Sequence, residues 1–342
     1  MLKSGRFWVG TALSAVFLLL FFWKVDLAST ARALRDANYW WILPAVACYF
    51  VAVYFRTLRW HVLLRPLKSV PVRRLYPIVV IGYMANNLLP ARLGELVRSY
   101  FAGRREGTPT AATLATILIE RVMDGVFLLV VGLAVWPFLP VAALLQGREV
   151  AVVLVSAAFV LALAGFFAVA LVPALGEFGV RLTQRFLPAK AKAPVGKLLS
   201  GFLAGFHVLR SPRQVLLTVV LTAPIWLLEA GMYYLIAIGF KIREPVHAFL
   251  LTTSTSNLAT SLSTPGGVGP FEYATRLTLE AMGVPTQAAV PYALVLHVAL
   301  LLPVTLLGLV FLWMSNMSLR DMTRETEQLK VKPSLPATEP QQ

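Results

Sequence analysis

The sequence predicts an all-α polytopic membrane protein with about six transmembrane helices and two re-entrant hairpins, eight apolar segments forming an inverted repeat. Three observations lead there. Of 342 residues, 58% are hydrophobic and 14% charged, and the mean hydropathy is +0.73, a membrane composition rather than that of a soluble domain. Two polar stretches broken by Pro and Gly, Tyr83–Arg98 (YMANNLLPARLGELVR) and Asn257–Arg276 (NLATSLSTPGGVGPFEYATR), lie between strongly apolar segments. The order of features around the first stretch recurs around the second.

Broken backbone within a bilayer must be buried by protein or line a wet cavity, because each unsatisfied N–H or C=O costs several kcal/mol in hydrocarbon. Two such breaks in matching halves are the best sequence pointer to a transporter-like site.

Composition also excludes several function classes. The net charge of +15 sits in short loops between apolar spans, so it reads as membrane orientation and attraction to anionic head groups, not nucleic-acid binding. Cys48 is the only cysteine, which rules out an internal disulfide and a cysteine zinc site. His61, His207, His247 and His297 are widely separated, and there is no Walker motif for ATP. No cofactor or metal is expected.

Taken in order, spans are expected at 7–23, 40–63, 110–137, 150–172, 214–238 and 286–314. Most match the roughly 17–25 residues that cross a bilayer; the third and last are longer and suit a tilt. The first follows Lys3 and Arg6 and exceeds the roughly 7–15 apolar residues of a signal peptide, so an uncleaved span is expected. Trp23, Trp40, Trp41, Trp136 and Trp313 lie near span ends, as interfacial aromatics do.

The loop basic residues set orientation. Lys3 and Arg6, then Arg65, Lys68, Arg73 and Arg74, are placed inside. Segment 76–102 must dip in and return if Arg104 and Arg105 are also to lie inside. The basic loop 173–213 follows inside, segment 246–275 re-enters from outside, and Arg320, Arg324, Lys330 and Lys332 end inside. Eight plain spans are the rival topology. Leu198, Leu199, Phe202, Phe206 and Leu209 recur at helical spacing, as in an interfacial amphipathic helix. Residues 1–320 are expected to form the membrane domain and 321–342 a disordered cytoplasmic tail.

The repeat is visible in residues. Pro90 and Gly94 align with Pro265 and Gly269, and Gly107-Thr-Pro-Thr-Ala-Ala aligns with Gly283-Val-Pro-Thr-Gln-Ala. Each unit reads span, broken hairpin, short charged helix, G-x-P-T-x-A, long span. With the hairpins entering from opposite sides, the halves are antiparallel.

In the first hairpin Asn86 and Asn87 precede Pro90, which ends one helix before another begins near Ala91. Arg92, Glu95 and Arg98 share roughly one face. Arginines at a helix start suit a phosphate; equally, Arg92 and Arg98 can pair with Glu95 and snorkel. Glu120, Arg121 and Asp124 lie within the third span, where charge is costly and faces a partner or a cavity. They read either as a structural pair, Arg121 with Glu95, or as a charged cavity wall or proton site. In the second hairpin Gly266, Gly267 and Gly269 permit unusual backbone angles and close approach. Glu272 sits near a helix start, where a carboxylate is stabilised, and stands at i, i+4 to Arg276. Glu229 and His297 are further buried polar candidates.

NNLLPARLGELVRSY, then ERVMDG, then TPGGVGPFEYA resemble the family named after the lysylphosphatidylglycerol synthase transmembrane region, also called flippase-like domain proteins. The resemblance covers roughly residues 10–315. It implies lipid handling as in the flippase half of the bacterial multiple peptide resistance factor, which moves aminoacylated phosphatidylglycerol between leaflets. Other relatives are linked to archaeal dolichol-phosphate glycosylation. The resemblance points to Arg92, Glu95, Arg98, Glu120, Arg121, Asp124, Gly266, Gly267, Gly269 and Glu272. No aminoacyl-transferase domain follows in this sequence, so synthesis of lysylphosphatidylglycerol is not expected of it.

The function expected is therefore a lipid translocase, not an enzyme, in the inner (plasma) membrane with both termini cytoplasmic. Its partner would be an anionic or aminoacylated phospholipid or a polyprenyl-phosphate lipid; a homo-oligomer stays open. The alternative is a non-transporting membrane subunit that binds a lipid-modifying enzyme such as a polyprenyl-phosphate glycosyltransferase.

Overall fold

A computed structural model describes residues 5–23, 25–89, 93–135, 172–185, 189–261 and 264–315, with a few residues between 161 and 169. Among the described residues all regular structure is helical. The helices are α1 (Gly5–Phe22), α2 (Leu27–Asp36), α3 (Ile42–Leu64), α4 (Val72–Leu88), α5 (Gly94–Glu106) and α6 (Thr110–Val135), followed by α7 (Pro173–Arg185), α8 (Ala189–Ala204), α9 (Pro212–Gly239), α10 (Val246–Ala259), α11 (Pro270–Ala281) and α12 (Thr286–Met314).

Three stretches are long and apolar enough to cross a membrane: Tyr39–Leu64, Pro212–Gly239 and Thr286–Met314. They coincide with the spans expected at 40–63, 214–238 and 286–314. The first expected span is α1, which turns by 87° into α2; counted as one broken span, this pair is a fourth. Helix α6 has the length of a span, 26 residues, but carries Glu120, Arg121 and Asp124 along it. The expected span 150–172 falls almost wholly outside the described residues, and the tail 321–342 does so entirely.

Helices α3 and α9 form the central pair and run antiparallel. The Asn38 N–H donates to the Gly239 carbonyl at one end, Arg56 meets Glu229 in the middle, and Arg59 meets Thr222 further along. Helix α5 folds back along α4. A Cβ at Gly94 would stand 2.1 Å from the Gly82 carbonyl oxygen and 2.6 Å from the Asn86 backbone, so only glycine permits this approach. In the same antiparallel register Gly82 faces Arg98. Helix α11 folds back along α10, with the Thr255 and Thr278 hydroxyls 2.8 Å apart. Helix α12 lies antiparallel to α4, Gly308 against Met84 and Thr305 bonded to Asn87.

Each half has the same neighbours. Helix α3 packs on α4 as α9 packs on α10; α5 packs on α6 as α11 packs on α12; α4 packs on α12 as α10 packs on α6. The G-x-P-T matches sit at equivalent turns. Gly107 ends α5 and Gly283 follows α11, both with positive φ (64° and 93°), and Thr110 and Thr286 open α6 and α12. Left-handed glycines at helix ends are a local backbone requirement, which is why this part of the repeat reads in sequence.

The stripe expected to lie on the interface is helical, but part of it is covered by protein. Phe206 and Leu209 are buried, and Gly205 presses on Ala112 and Ala115 of α6. Leu198 remains exposed.

Candidate functional site

The second hairpin tip meets the end of α4. A Cβ at Gly266 would lie 3.4 Å from the Asn87 carbonyl oxygen. Gly266, Gly267 and Gly269 all have positive φ (60°, 76° and 98°), so the second tip is a turn that side chains would strain. The Asn86 side chain accepts from the Gly94 N–H at 2.9 Å, capping the start of α5. Asn87 is held to α12 by Thr305, 2.9 Å away. The two asparagines thus tie the end of α4 to α12 and to the start of α5.

A cavity of about 140 Å³ opens beside the second tip and the end of α4, with Arg56, Arg121, Glu229 and His297 among its walls. It has room for several waters. Asn257 donates to Glu229 at 3.0 Å, and Arg56 meets the other Glu229 oxygen at 2.5 Å. The Thr264 hydroxyl, buried on the cavity wall, has no hydrogen-bond partner among the described residues.

Next to the cavity is a buried ionic network. Arg59 holds Asp124 with two nitrogens, at 2.6 and 3.2 Å, and Trp226 donates to the same carboxylate at 3.1 Å. Glu120 stands between Arg98 (2.7 Å) and Arg59 (3.7 Å). Arg121 bridges Glu95 (3.0 Å) and Asp124 (3.4 Å). Four guanidinium groups, from Arg56, Arg59, Arg98 and Arg121, face four carboxylates, from Glu95, Glu120, Asp124 and Glu229. The set is formally neutral, the state in which buried charge is tolerable. Arg121 and Glu95 keep about a quarter of their side-chain surface exposed (27% and 26%), whereas Arg98 and Glu120 keep 5% and 1%.

The structural pairing of Arg121 with Glu95 therefore forms, and Arg121 also reaches the cavity wall. Arg98 pairs with Glu120 rather than Glu95. Arg92 lies outside the described residues. Sequence reasoning missed Arg56 and Arg59, although two arginines inside the apolar stretch 40–63 were a signal in plain view.

In the second hairpin Glu272 caps α11, accepting from the Gly269 N–H at 2.7 Å. Its other oxygen is 2.6 Å from Nδ1 of His297. The expected Glu272–Arg276 pair does not form. Glu272 is already committed to these two partners, and Arg276 turns to Glu280 at 2.8 Å and to the carbonyls of Phe21 and Trp23 that end α1. Among the described residues no group of three or more His, Cys, Asp or Glu could hold a metal.

Fold and site together define a polytopic helical membrane protein with a buried ionic network beside a polar cavity. The chain belongs to the family described as lysylphosphatidylglycerol synthase TM region, whose model matches residues 7–308. It is 28% identical to the glycosyltransferase AglD of Haloferax volcanii over 94% of this chain and 56% of that protein, so it spans little more than half of that relative. It is 27% identical to a UPF0104 membrane protein of Methanothermobacter thermautotrophicus, over 70% of this chain and 75% of the other. A UPF0104 membrane protein of Methanocaldococcus jannaschii is 24% identical over 33% of this chain and 34% of its own length.

Proposed function

We propose that the protein is a lipid translocase of the inner (plasma) membrane. It moves a lipid with a charged or phosphate-bearing head group between leaflets while the tails stay in hydrocarbon. The observation that carries this reading is the polar cavity where the second tip meets the end of α4, walled by Arg56, Arg121 and Glu229. A charged head group cannot cross bare hydrocarbon cheaply. A neutral ionic network offers it replacement partners without leaving a net buried charge behind.

In this proposal α4–α5 and α10–α11 are re-entrant hairpins entering from opposite faces, and the two halves are an inverted repeat. The antiparallel α3–α9 pair and the matching neighbours of each half support that arrangement. Both termini are then cytoplasmic. Arg121 is the arginine best suited to exchange its carboxylate partner for a lipid phosphate, since it is partly exposed and faces the cavity. Arg98 and Glu120 hold the hairpin in place. The substrate class is an anionic or aminoacylated phospholipid or a polyprenyl-phosphate lipid.

The test is reconstitution into vesicles with a fluorescent phosphatidylglycerol. Movement between leaflets is expected with the wild type and is expected to be lost in Arg121→Gln with folding retained. Equal movement by both would remove Arg121 from the mechanism, and no movement by the wild type would sink the lipid reading for that probe.

The glycosyltransferase relative supports a second reading, because this chain aligns along nearly all its length with just over half of that protein. In that reading the membrane region serves a lipid glycosyltransferase as a non-transporting subunit. Co-purification with such an enzyme, and inactivity alone, would favour it.

A further inference from the structure

The register that superposes Gly107-x-Pro109-Thr110 on Gly283-x-Pro285-Thr286 also superposes Arg121 on His297. Their partners are not in register but share a place in the fold. Glu95 and Glu272 are the acidic residues in the first turns of α5 and α11, the returning helices of the two hairpins. Each half thus ties the long helix to the hairpin by a cation on the long helix and an acid at the start of the return: Arg121 to Glu95 at 3.0 Å, His297 to Glu272 at 2.6 Å. The first tie uses a permanently charged arginine. The second uses a residue that can lose its proton.

The surroundings of His297 define which form fits. Its Nδ1 faces the Glu272 carboxylate at 2.6 Å, and its Nε2 faces the carbonyl oxygen of Gly266 at 3.1 Å, on the second tip itself. Both neighbours are acceptors. Only the imidazolium donates to both; a neutral ring turns one lone pair onto an oxygen. The ring is stacked on Phe271, with centroids 4.2 Å apart, and is 5% exposed. Other ionisable side chains on the same cavity are Tyr49 and Arg56 from α3, Tyr83 from α4, Arg121 from α6 and Glu229 from α9. Arg56 and Arg121 are already matched by Glu229 and Glu95. The Glu272 charge is left for His297 to balance.

We infer that His297 with Glu272 is a proton-binding site that latches the second hairpin. With the proton bound, the tip is tied through Gly266 to α12. When the proton leaves, the weaker of the two contacts, to the neutral Gly266 carbonyl, is given up and the tip is freed. The first hairpin, tied by Arg121, has no such release. This rests on the reading that the second hairpin moves during transport, and it names the proton as the ion coupled to that movement.

The test is hydrogen–deuterium exchange of the protein in phosphatidylglycerol-containing nanodiscs, reading residues 264–269. Rates are divided by those of an unstructured peptide of the same sequence, to remove the intrinsic effect of pH. Between about pH 5 and 8, where histidine side chains in general change charge, wild-type protection of the tip is expected to fall about tenfold as pH rises. Residues 93–98 in the first hairpin should show no such fall. His297→Arg should keep the tip protected at every pH, and His297→Gln should leave it unprotected at every pH. A wild-type tip whose protection ignores pH, or a fall that survives in His297→Gln, overturns the inference. Wild type and His297→Gln decide the matter even if His297→Arg fails to fold. The readout needs no lipid movement: a pH-gated tip in a protein that moves no lipid would refute the translocase reading alone.

Discussion

Arg98 lies over the face of Trp60, its guanidinium carbon 3.7 Å from the ring centroid, and from there reaches Glu120 at 2.7 Å. The indole is in turn fixed by its N–H, which donates to Thr116 on α6 at 3.1 Å. Helices α3, α5 and α6 are thus joined through one aromatic plane and one carboxylate. Arginine suits this position because it can stack and pair at once.

Removing Glu120 should be costly for that reason. Glu120→Gln leaves Arg98 without its anion and takes one from Arg59, both buried. Breaking a buried pair from one side costs about 3–5 kcal/mol. The expected outcome is a marked drop in Tm in detergent and poor yield. Arg98→Met with Glu120→Met should recover part of the loss, because no unpaired charge then remains between them. A Glu120→Gln protein as stable as wild type would show that the network adds little to the fold.

Two glycines should respond oppositely to alanine. At Gly94 the new methyl would lie 2.1 Å from the Gly82 carbonyl oxygen, and backbone cannot swing aside as a side chain can. Gly94→Ala is expected to cost at least the 1–3 kcal/mol or so typical of overpacking, and to expose the first hairpin to protease. At Gly132 in α6 nothing lies within 4 Å. Gly132→Ala is expected to be neutral or to stabilise by up to about 1 kcal/mol through helix propensity. Equal Tm values for the two variants would contradict the close α4–α5 contact.

What could be read from the sequence was whatever depends on local backbone or on average polarity. The apolar spans at 40–63, 214–238 and 286–314 and the turns at Gly107 and Gly283 are of this kind. Pairing was less legible, because it is decided by which helices meet. Arg98 is three residues from Glu95 on one helix, yet takes Glu120 across to α6. Glu272 and Arg276 have favourable spacing, yet the helix cap and His297 claim the acid first. Arg56 and Arg59 escaped notice because a hydropathy average over 40–63 absorbs two charges without losing its apolar character.

The second hairpin can be fastened covalently. The Thr255 and Thr278 hydroxyls are 2.8 Å apart on α10 and α11, and Cys48 is the only native cysteine. In a Cys48→Ser background, Thr255→Cys with Thr278→Cys should form a disulfide under mild oxidation. If the two arms of this hairpin separate during transport, the oxidised protein will move no labelled lipid and reduction will restore movement. Undiminished movement when fully cross-linked would mean that the arms travel together or not at all.

The re-entrant reading makes its sharpest prediction at Arg73 and Arg104, which lie on either side of the first hairpin. Helix α5 retraces α4, with Gly94 beside Asn86 and Arg98 beside Gly82, so the chain leaves the hairpin near where it entered. Arg74 reaches Glu106 at 3.1 Å, joining the beginning of α4 to the end of α5. Single cysteines at 73 and 104, in a Cys48→Ser background, should therefore react with a membrane-impermeant maleimide from the same side. A cysteine at Lys241, after α9, should react from the opposite side, since α3 and α9 run antiparallel and the Arg73 end of the chain follows the far end of α3. Labelling of 73 and 104 from opposite sides would make α4 and α5 successive full spans, and the inverted arrangement of the halves would have to be abandoned.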